Sequence, residues 1–441
     1  LPLRLGCGCR AVLRISNSKD YFVRDGEKFF YLADTAWSAF TNASLDDWRY
    51  YLEYRGSQGF NAIQINILPQ HDRSESDLHL EPFEVTPSGG WSFTKVSEAY
   101  FDRAEKMVEM AVESGFVPAL VVLWCNYVRG TWGSRLTPSK IIPLELIESY
   151  VEYVVERFSK YNPIFVVSGD PSFDTDEAVQ YYLTALEVVK KRAPHCLTTM
   201  HLAGGVVIPE PFVHSPYLDF YMYQSSHWKD KQFLAYELAQ RFYRLPVKRP
   251  IVNGEPCYEG MGYAEGRYGR FTRFDVRKAV WQSLLSGAKA GTAYGALGIW
   301  NWHVVGKRFP VEHFWSPSYD WRTALTFPGA HDVAFAKWLF EKYDLFDIEP
   351  ANDRLVKEEG KDPREVEEIR VSTGRGKVVI YTPYYNYAIR LQVDGSSYRW
   401  EGVELESRRV FRPGVKVERG YTLIRLPELA SSDSVVIGVE K

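Results

Sequence analysis

The segment SEAYFDRAEKMVEMAVESGFVPALVVLW, residues 97–124, decides how the chain is read. Phe101, Ala104, Met107, Val108 and Ala111 recur at the three-and-four spacing of an amphipathic helix, and Gly115 stops it. Residues 116–124 then run almost continuously apolar. A strand with one wet face alternates, so an unbroken run describes a strand buried on both faces, as in a parallel sheet covered by helices.

The same unit recurs outward in both directions. Toward the N-terminus, apolar runs at 29–32 and 60–67 flank a helix that Ser44 caps, that carries Asp46 and Asp47 in its first turn and that ends at Gly59. A hairpin over 21–31, turning at Asp25-Gly26, precedes them. Toward the C-terminus, strands are expected at 164–167, 197–201, 218–223, 250–253 and within 291–300, with helices at 143–158, 175–192, 233–243, 274–288 and 330–340. Such alternation builds either a closed barrel or an open doubly wound sheet. Eight strands, with no Gly-rich phosphate loop after an early one, predict a (β/α)₈ TIM barrel.

After residue 350 the texture changes. A charged, turn-rich linker at 358–364 leads into period-two runs at 377–381, 387–391, 421–425 and 434–438, with no helical stretch among them. This describes an antiparallel β-sandwich. The expected division is a catalytic barrel with its hairpin over 1–349 and an all-β domain over 350–441.

Charge narrows the partners. With 53 basic and 56 acidic residues the net charge is −3, which provides no footprint for nucleic acid or an anionic membrane. No apolar run is long enough to span a bilayer. A neutral substrate is expected, and the 13 Trp and 29 Tyr favour carbohydrate, since amphipathic rings suit the apolar faces and hydroxyl rims of sugars. Cys7 and Cys9 near the start, and Cys125, Cys196 and Cys257 scattered singly, imply no disulfide framework. His71, His303 and His313 lack zinc-site spacing, so neither a metal nor another cofactor is expected.

The active site of such a barrel lies at the C-terminal ends of its strands. Collected there are Asp34 and Trp37, Gln64 and Asn66, Trp124, Asp170, His201, Tyr223 and Gln224, Glu255 and Tyr258, and Trp300. Glycoside hydrolysis needs two carboxyl groups flanking the scissile bond. Asp170 and Glu255 are the natural pair, because each follows an apolar strand and a Gly that admits close approach of substrate. The remaining residues named are expected to contact the sugar. Two rivals stand beside a hydrolase of some other neutral glycan: an endo-β-glucanase using the same carboxylates, and a carbohydrate-binding barrel without catalysis.

Five segments together carry a resemblance: FYLADTAW at 30–37, GFNAIQ at 59–64, VSGD at 167–170, NGEPCYE at 253–259 and GTAYGALGIW at 291–300. With WRTALTFPGA at 321–330, they make the chain similar to the apiosidase-like glycoside hydrolase family. That resemblance implies a retaining glycosidase on a TIM barrel, with the acid/base after strand four at Asp170 and the nucleophile after strand seven at Glu255. The family's characterised activity is removal of apiose from plant pectin side chains. Ser168-Gly169-Asp170 stands where the family has Gly-Gly-Asp, and WEGVEL at 400–405 replaces its Trp-x-Asp-Pro-Arg-x-Gly stretch.

Overall fold

Tyr31–Thr35 (β1), Ala62–Asn66 (β2), Val117–Trp124 (β3), Ile164–Gly169 (β4), Thr198–Thr199 (β5), Tyr221–Gln224 (β6), Ile251–Glu255 (β7) and Gly291–Tyr294 (β8) form one parallel sheet in a computed structural model of the protein. The model describes residues 12–356, 362–384, 388–431 and 433–441. The pairing order β5-β4-β3-β2-β1-β8-β7-β6 brings the sheet round on itself. At the seam, the Asp219 and Phe220 amides donate to the Thr198 carbonyl at 3.1 and 3.4 Å. This is the expected (β/α)₈ barrel.

Each strand feeds a helix: Leu45–Ser57 (α1), Glu98–Glu113 (α2), Ile147–Phe158 (α3), Asp176–Arg192 (α4), Glu210–Val213 (α5), Leu234–Tyr243 (α6), Arg273–Leu284 (α7) and Gly329–Tyr343 (α8). Caps set the starts. Ser44 Oγ accepts the Asp47 amide, Thr175 Oγ1 accepts that of Ala178, and Thr272 forms a capping box with Asp275.

Several boundaries move from their sequence-based positions. Phe29 belongs to the hairpin, where it pairs with Phe22, so β1 begins at Tyr31. The hairpin turns at Asp25-Gly26 with φ of 53° and 84°, and a third strand, Leu13–Ile15, pairs with it. The fifth strand shrinks to two residues, whereas β7 extends through Glu255. Two hairpins in the loops were missed: Phe83–Val85 with Trp91–Val96 after β2, and Gly262–Tyr263 with Arg267–Arg270 after β7.

Beyond the barrel, Glu349–Pro350 (β9), Arg370–Gly374 (β10), Lys377–Thr382 (β11), Ala388–Leu391 (β12), Tyr398–Glu404 (β13), Val410–Phe411 (β14), Gly414–Glu418 (β15), Tyr421–Arg425 (β16) and Ser434–Glu440 (β17) are all antiparallel. They form sheets in the orders β9-β10-β11-β17-β13-β14 and β12-β16-β15, a β-sandwich. Val378, Ile380, Ile389, Ile424 and Val436 fill its core, while Val379, Tyr381, Val435 and Ile437 join the barrel's hydrophobic core, as alternation along a strand requires. A buried charge network ties the two together: Arg277 of α7 reaches Asp433 at 2.6 and 2.7 Å and Asp332 of α8 at 2.7 Å, and Arg408 also donates to Asp332.

Cys125, Cys196 and Cys257 are buried free thiols. Cys7, Cys9, the linker as far as residue 361 and Tyr387 lie outside the described residues. Among the described residues, no helix is long and apolar enough to cross a membrane.

Candidate active site

Glu255 ends β7 with its carboxylate held by two imidazoles. Oε2 accepts from His201 Nε2 at 3.0 Å, and Oε1 accepts from His227 Nε2 at 2.8 Å. Burial alone would raise its pKa, but the two imidazoles outweigh burial and bring it down to about 2. Glu255 is therefore a carboxylate over the whole physiological range.

Asp170 follows β4 in the left-handed region, at φ 61°. Both its backbone groups are held from outside: the amide donates to His201 Nδ1 at 3.2 Å, and the carbonyl accepts from Trp132 Nε1 at 2.8 Å. Asp170 is half-buried and lines the cavity at the mouth. Burial, then the negative charges of Glu255 and Asp72, push its pKa well above the usual range, against a hydrogen bond from Gln224 that pulls the other way. Two carboxyl groups with opposite protonation preferences thus share one cavity of about 380 Å³.

Of the residues collected from the sequence, Trp37, Trp124, Gln224, Tyr258 and Trp300 line that cavity with Asp170 and Glu255. Trp37 Nε1 donates to the Tyr258 phenol at 3.1 Å. The indole nitrogens of Trp124 and Trp300 are buried and make no hydrogen bond.

Five others are not among the residues that line it. Asp34 is fully buried beneath the floor, taking bonds from Tyr51 Oη at 2.7 Å and Arg55 Nε at 2.5 Å. Gln64 bonds Thr35, Tyr31 and the Gly254 carbonyl within the barrel, and Asn66 bonds Gln70. Tyr223 points outward to the Ala235 carbonyl of α6, and alternation along β6 turns Gln224 to the mouth. His201 sits behind the two carboxyl groups. The glycines also act otherwise than expected. A Cβ on Gly169 would fall 2.3 Å from the Trp124 ring and one on Gly254 2.4 Å from Met222, so protein side chains, and not substrate, occupy the space.

His227, His71, Asp72, Trp132, Trp228 and Trp315 line the cavity without having been singled out for it. They stand beyond the strand ends, on loops and, for Trp315, on the short helix Glu312–Trp315, and only His227, four residues after Tyr223, was within reach of a strand-end reading. A larger cavity of about 890 Å³ lies between α6, α7 and the sandwich. There Lys278 pairs with Glu368, Lys229 with Asp275, Arg267 with Asp230 and Arg241 with Glu237.

The model of the apiosidase-like catalytic domain matches residues 16–347. The chain belongs to this family. The apiosidase-like membership makes it a glycoside hydrolase, and carbohydrate its substrate. Solved structures agree in fold. A protein described as a glycoside hydrolase superimposes with a TM-score of 0.81 at 19% identity, covering 98% of this chain and 97% of its own. A glycoside hydrolase family 5 protein from Bacteroides vulgatus gives 0.80 at 18%, covering 97% and 93%. A family 5 mannosidase from Rhizomucor miehei gives 0.54 at 14%, covering 75% and 98%. No curated protein matches the sequence.

Proposed function

We propose that this apiosidase-like enzyme is a retaining glycosidase that removes short units from a neutral plant-type glycan, with Glu255 as nucleophile and Asp170 as acid/base. The observation that carries the reading is two carboxyl groups lining one cavity whose surroundings push their pKa values in opposite directions. Asp170 gives its proton to the glycosidic oxygen while a Glu255 oxygen attacks the anomeric carbon, and the alcohol departs. The glycosyl ester then cancels the Glu255 charge. That charge is one cause of Asp170's high pKa, so its loss converts Asp170 into a base. Water attacks the anomeric carbon, its proton passes to Asp170, and Glu255 leaves as the carboxylate.

Trp37, Trp124 and Trp300 offer apolar walls to a sugar ring. The unused indole N–H groups of Trp124 and Trp300 are donors that a hydroxyl would satisfy. At about 380 Å³ the cavity sits near the small end of ligand pockets, which run roughly 300–1,000 Å³, and suits a chain end or short branch.

The endo-β-glucanase reading draws on one observation, a second cavity of about 590 Å³ that shares His71 with the first. Its walls are charged, with Arg73, Glu75, Asp77 and Lys307, where a cellulose-like chain needs a row of aromatic rings. Hydrolysis of a panel of plant polysaccharides and aryl glycosides, with the anomer formed first read by NMR, tests the proposal. Release of the retained anomer from a chain end is the expected result; first formation of the inverted anomer, or no hydrolysis of any member, ends it.

A further inference from the structure

Among the described residues, His201 is the one side chain that bonds both proposed catalytic residues, and its two ring nitrogens do so in different senses. An amide N–H only donates, so Nδ1, 3.2 Å from the Asp170 nitrogen, must be bare. A carboxylate only accepts, so Nε2, 3.0 Å from Glu255 Oε2, must carry the proton. The neutral Nε2–H tautomer is the only form that satisfies both contacts. A second proton would set the Nδ1–H against the amide N–H.

The ring is held in this orientation. Trp37 and Trp124 lie against it with centroids at 5.5 and 5.6 Å. Ser168 brackets its backbone, accepting the His201 amide at 3.3 Å and donating Oγ to the His201 carbonyl at 2.7 Å. No part of the imidazole reaches solvent. What it holds on the Asp170 side is a non-glycine residue at φ 61°, a conformation that persists only where surrounding contacts enforce it. His227 provides the internal contrast. It donates to the other Glu255 oxygen, but its Nδ1 is buried without a partner, so it grips the carboxylate alone.

We infer that His201 is a positioning residue that couples the acid/base to the nucleophile, fixing the Asp170 backbone with one nitrogen and the Glu255 carboxylate with the other. The inference rests on the carboxylate roles proposed above. Its consequence is that the two halves of the reaction are separable by substitution at one position. His201→Gln keeps an N–H for Glu255 and loses the acceptor for the Asp170 amide. His201→Asn keeps an acceptor near the Nδ1 position and loses the donor to Glu255.

The test is kcat/KM over aryl and alkyl glycosides of rising leaving-group pKa, for the wild type, both His201 variants and His227→Gln, each checked for folding by circular dichroism. His201→Gln is expected to lose about 10²-fold on poor leaving groups, the scale of a misplaced catalytic group, and far less on dinitrophenyl glycosides, which need no acid. Azide, which needs no base, should accelerate its turnover of the latter. His201→Asn and His227→Gln should instead lose activity evenly across the series. Identical leaving-group dependence in His201→Gln and His227→Gln overturns the coupling. Failure of the wild type to cleave any member would instead remove the carboxylate assignment. Independently of any variant, long-range ¹H–¹⁵N NMR of the wild-type protein should show His201 protonated at Nε2 and bare at Nδ1; a proton on Nδ1 overturns the inference.

Discussion

Asp34 closes the first barrel strand and Asp170 follows the fourth, at the same end of one sheet, and their surroundings assign them opposite work. Asp34 meets the Arg55 guanidinium, the Tyr51 hydroxyl and the Thr35 amide, and is sealed from water. Asp170 has no Arg or Lys paired with it among the described residues; the negative charges of Glu255 and Asp72 add to burial in pushing its pKa well above the usual range. The charged seam behind the barrel repeats the first pattern, with Arg277 clamped between Asp332 and Asp433. A buried carboxylate opposite a guanidinium, which never gives up its charge, is committed to structure. One opposite like charges has a proton to lend.

Glu255→Ala breaks the contrast at its reactive end and carries the largest expected effect. Loss of a covalent nucleophile should lower kcat by on the order of 10⁴-fold or more, with the fold retained by circular dichroism; turnover near the wild-type rate would remove Glu255 from the chemistry. Asp170→Asn comes next. It should cost about 10²–10⁴-fold, the range of general acid–base catalysis, concentrated on poor leaving groups. A uniform loss across leaving groups in steady-state kinetics would mean that Asp170 positions substrate and does not transfer a proton.

The sequence makes the contrast only half legible. The barrel is readable because its buried strands are continuously apolar, as residues 116–124 are, and the sandwich because short strand-like runs such as 377–381 and 434–438 follow one another with turns and no helical stretch between them. Glu255 and Asp170 are readable as strand-end carboxylates. Asp34 reads the same way, and its partner Arg55 lies on the following helix, where no strand pattern announces it. Tyr223 and Gln224 are neighbours, so only one of them can face the mouth, and apolar patterning alone does not say which. His227 reaches the cavity from a loop and Trp315 from the short helix Glu312–Trp315, and the two rings pack on each other. Strand ends reveal which side chains arrive at the mouth, and tertiary partners decide which of them remain free to react.

Asp34→Asn sharpens the structural side. It leaves Arg55 buried with its principal counter-charge removed, and breaking such a pair costs about 3–5 kcal/mol. Urea unfolding should show that loss, whereas kcat of the protein that remains folded should stay near wild type. A selective fall in kcat with unchanged stability would place Asp34 in contact with substrate after all.

The smallest expected effect concerns protons alone. Glu255 has a folded pKa of about 2, below its ordinary 4.5, so its contribution to stability is present above pH 4.5 and lost as pH falls toward 2. Asp170 runs the other way: its pKa is raised above 3.8, so its contribution is complete below that value and is lost as pH rises through the folded pKa. Catalysis should accordingly have an alkaline limb where Asp170 gives up its proton. In Glu255→Gln the facing charge is gone while burial remains, so the Asp170 midpoint, followed by ¹³C NMR of labelled aspartate, should move down toward 3.8 without reaching it. An unmoved midpoint would mean that burial by itself holds the proton on Asp170, and that forming the glycosyl ester gives no signal to turn the acid into a base.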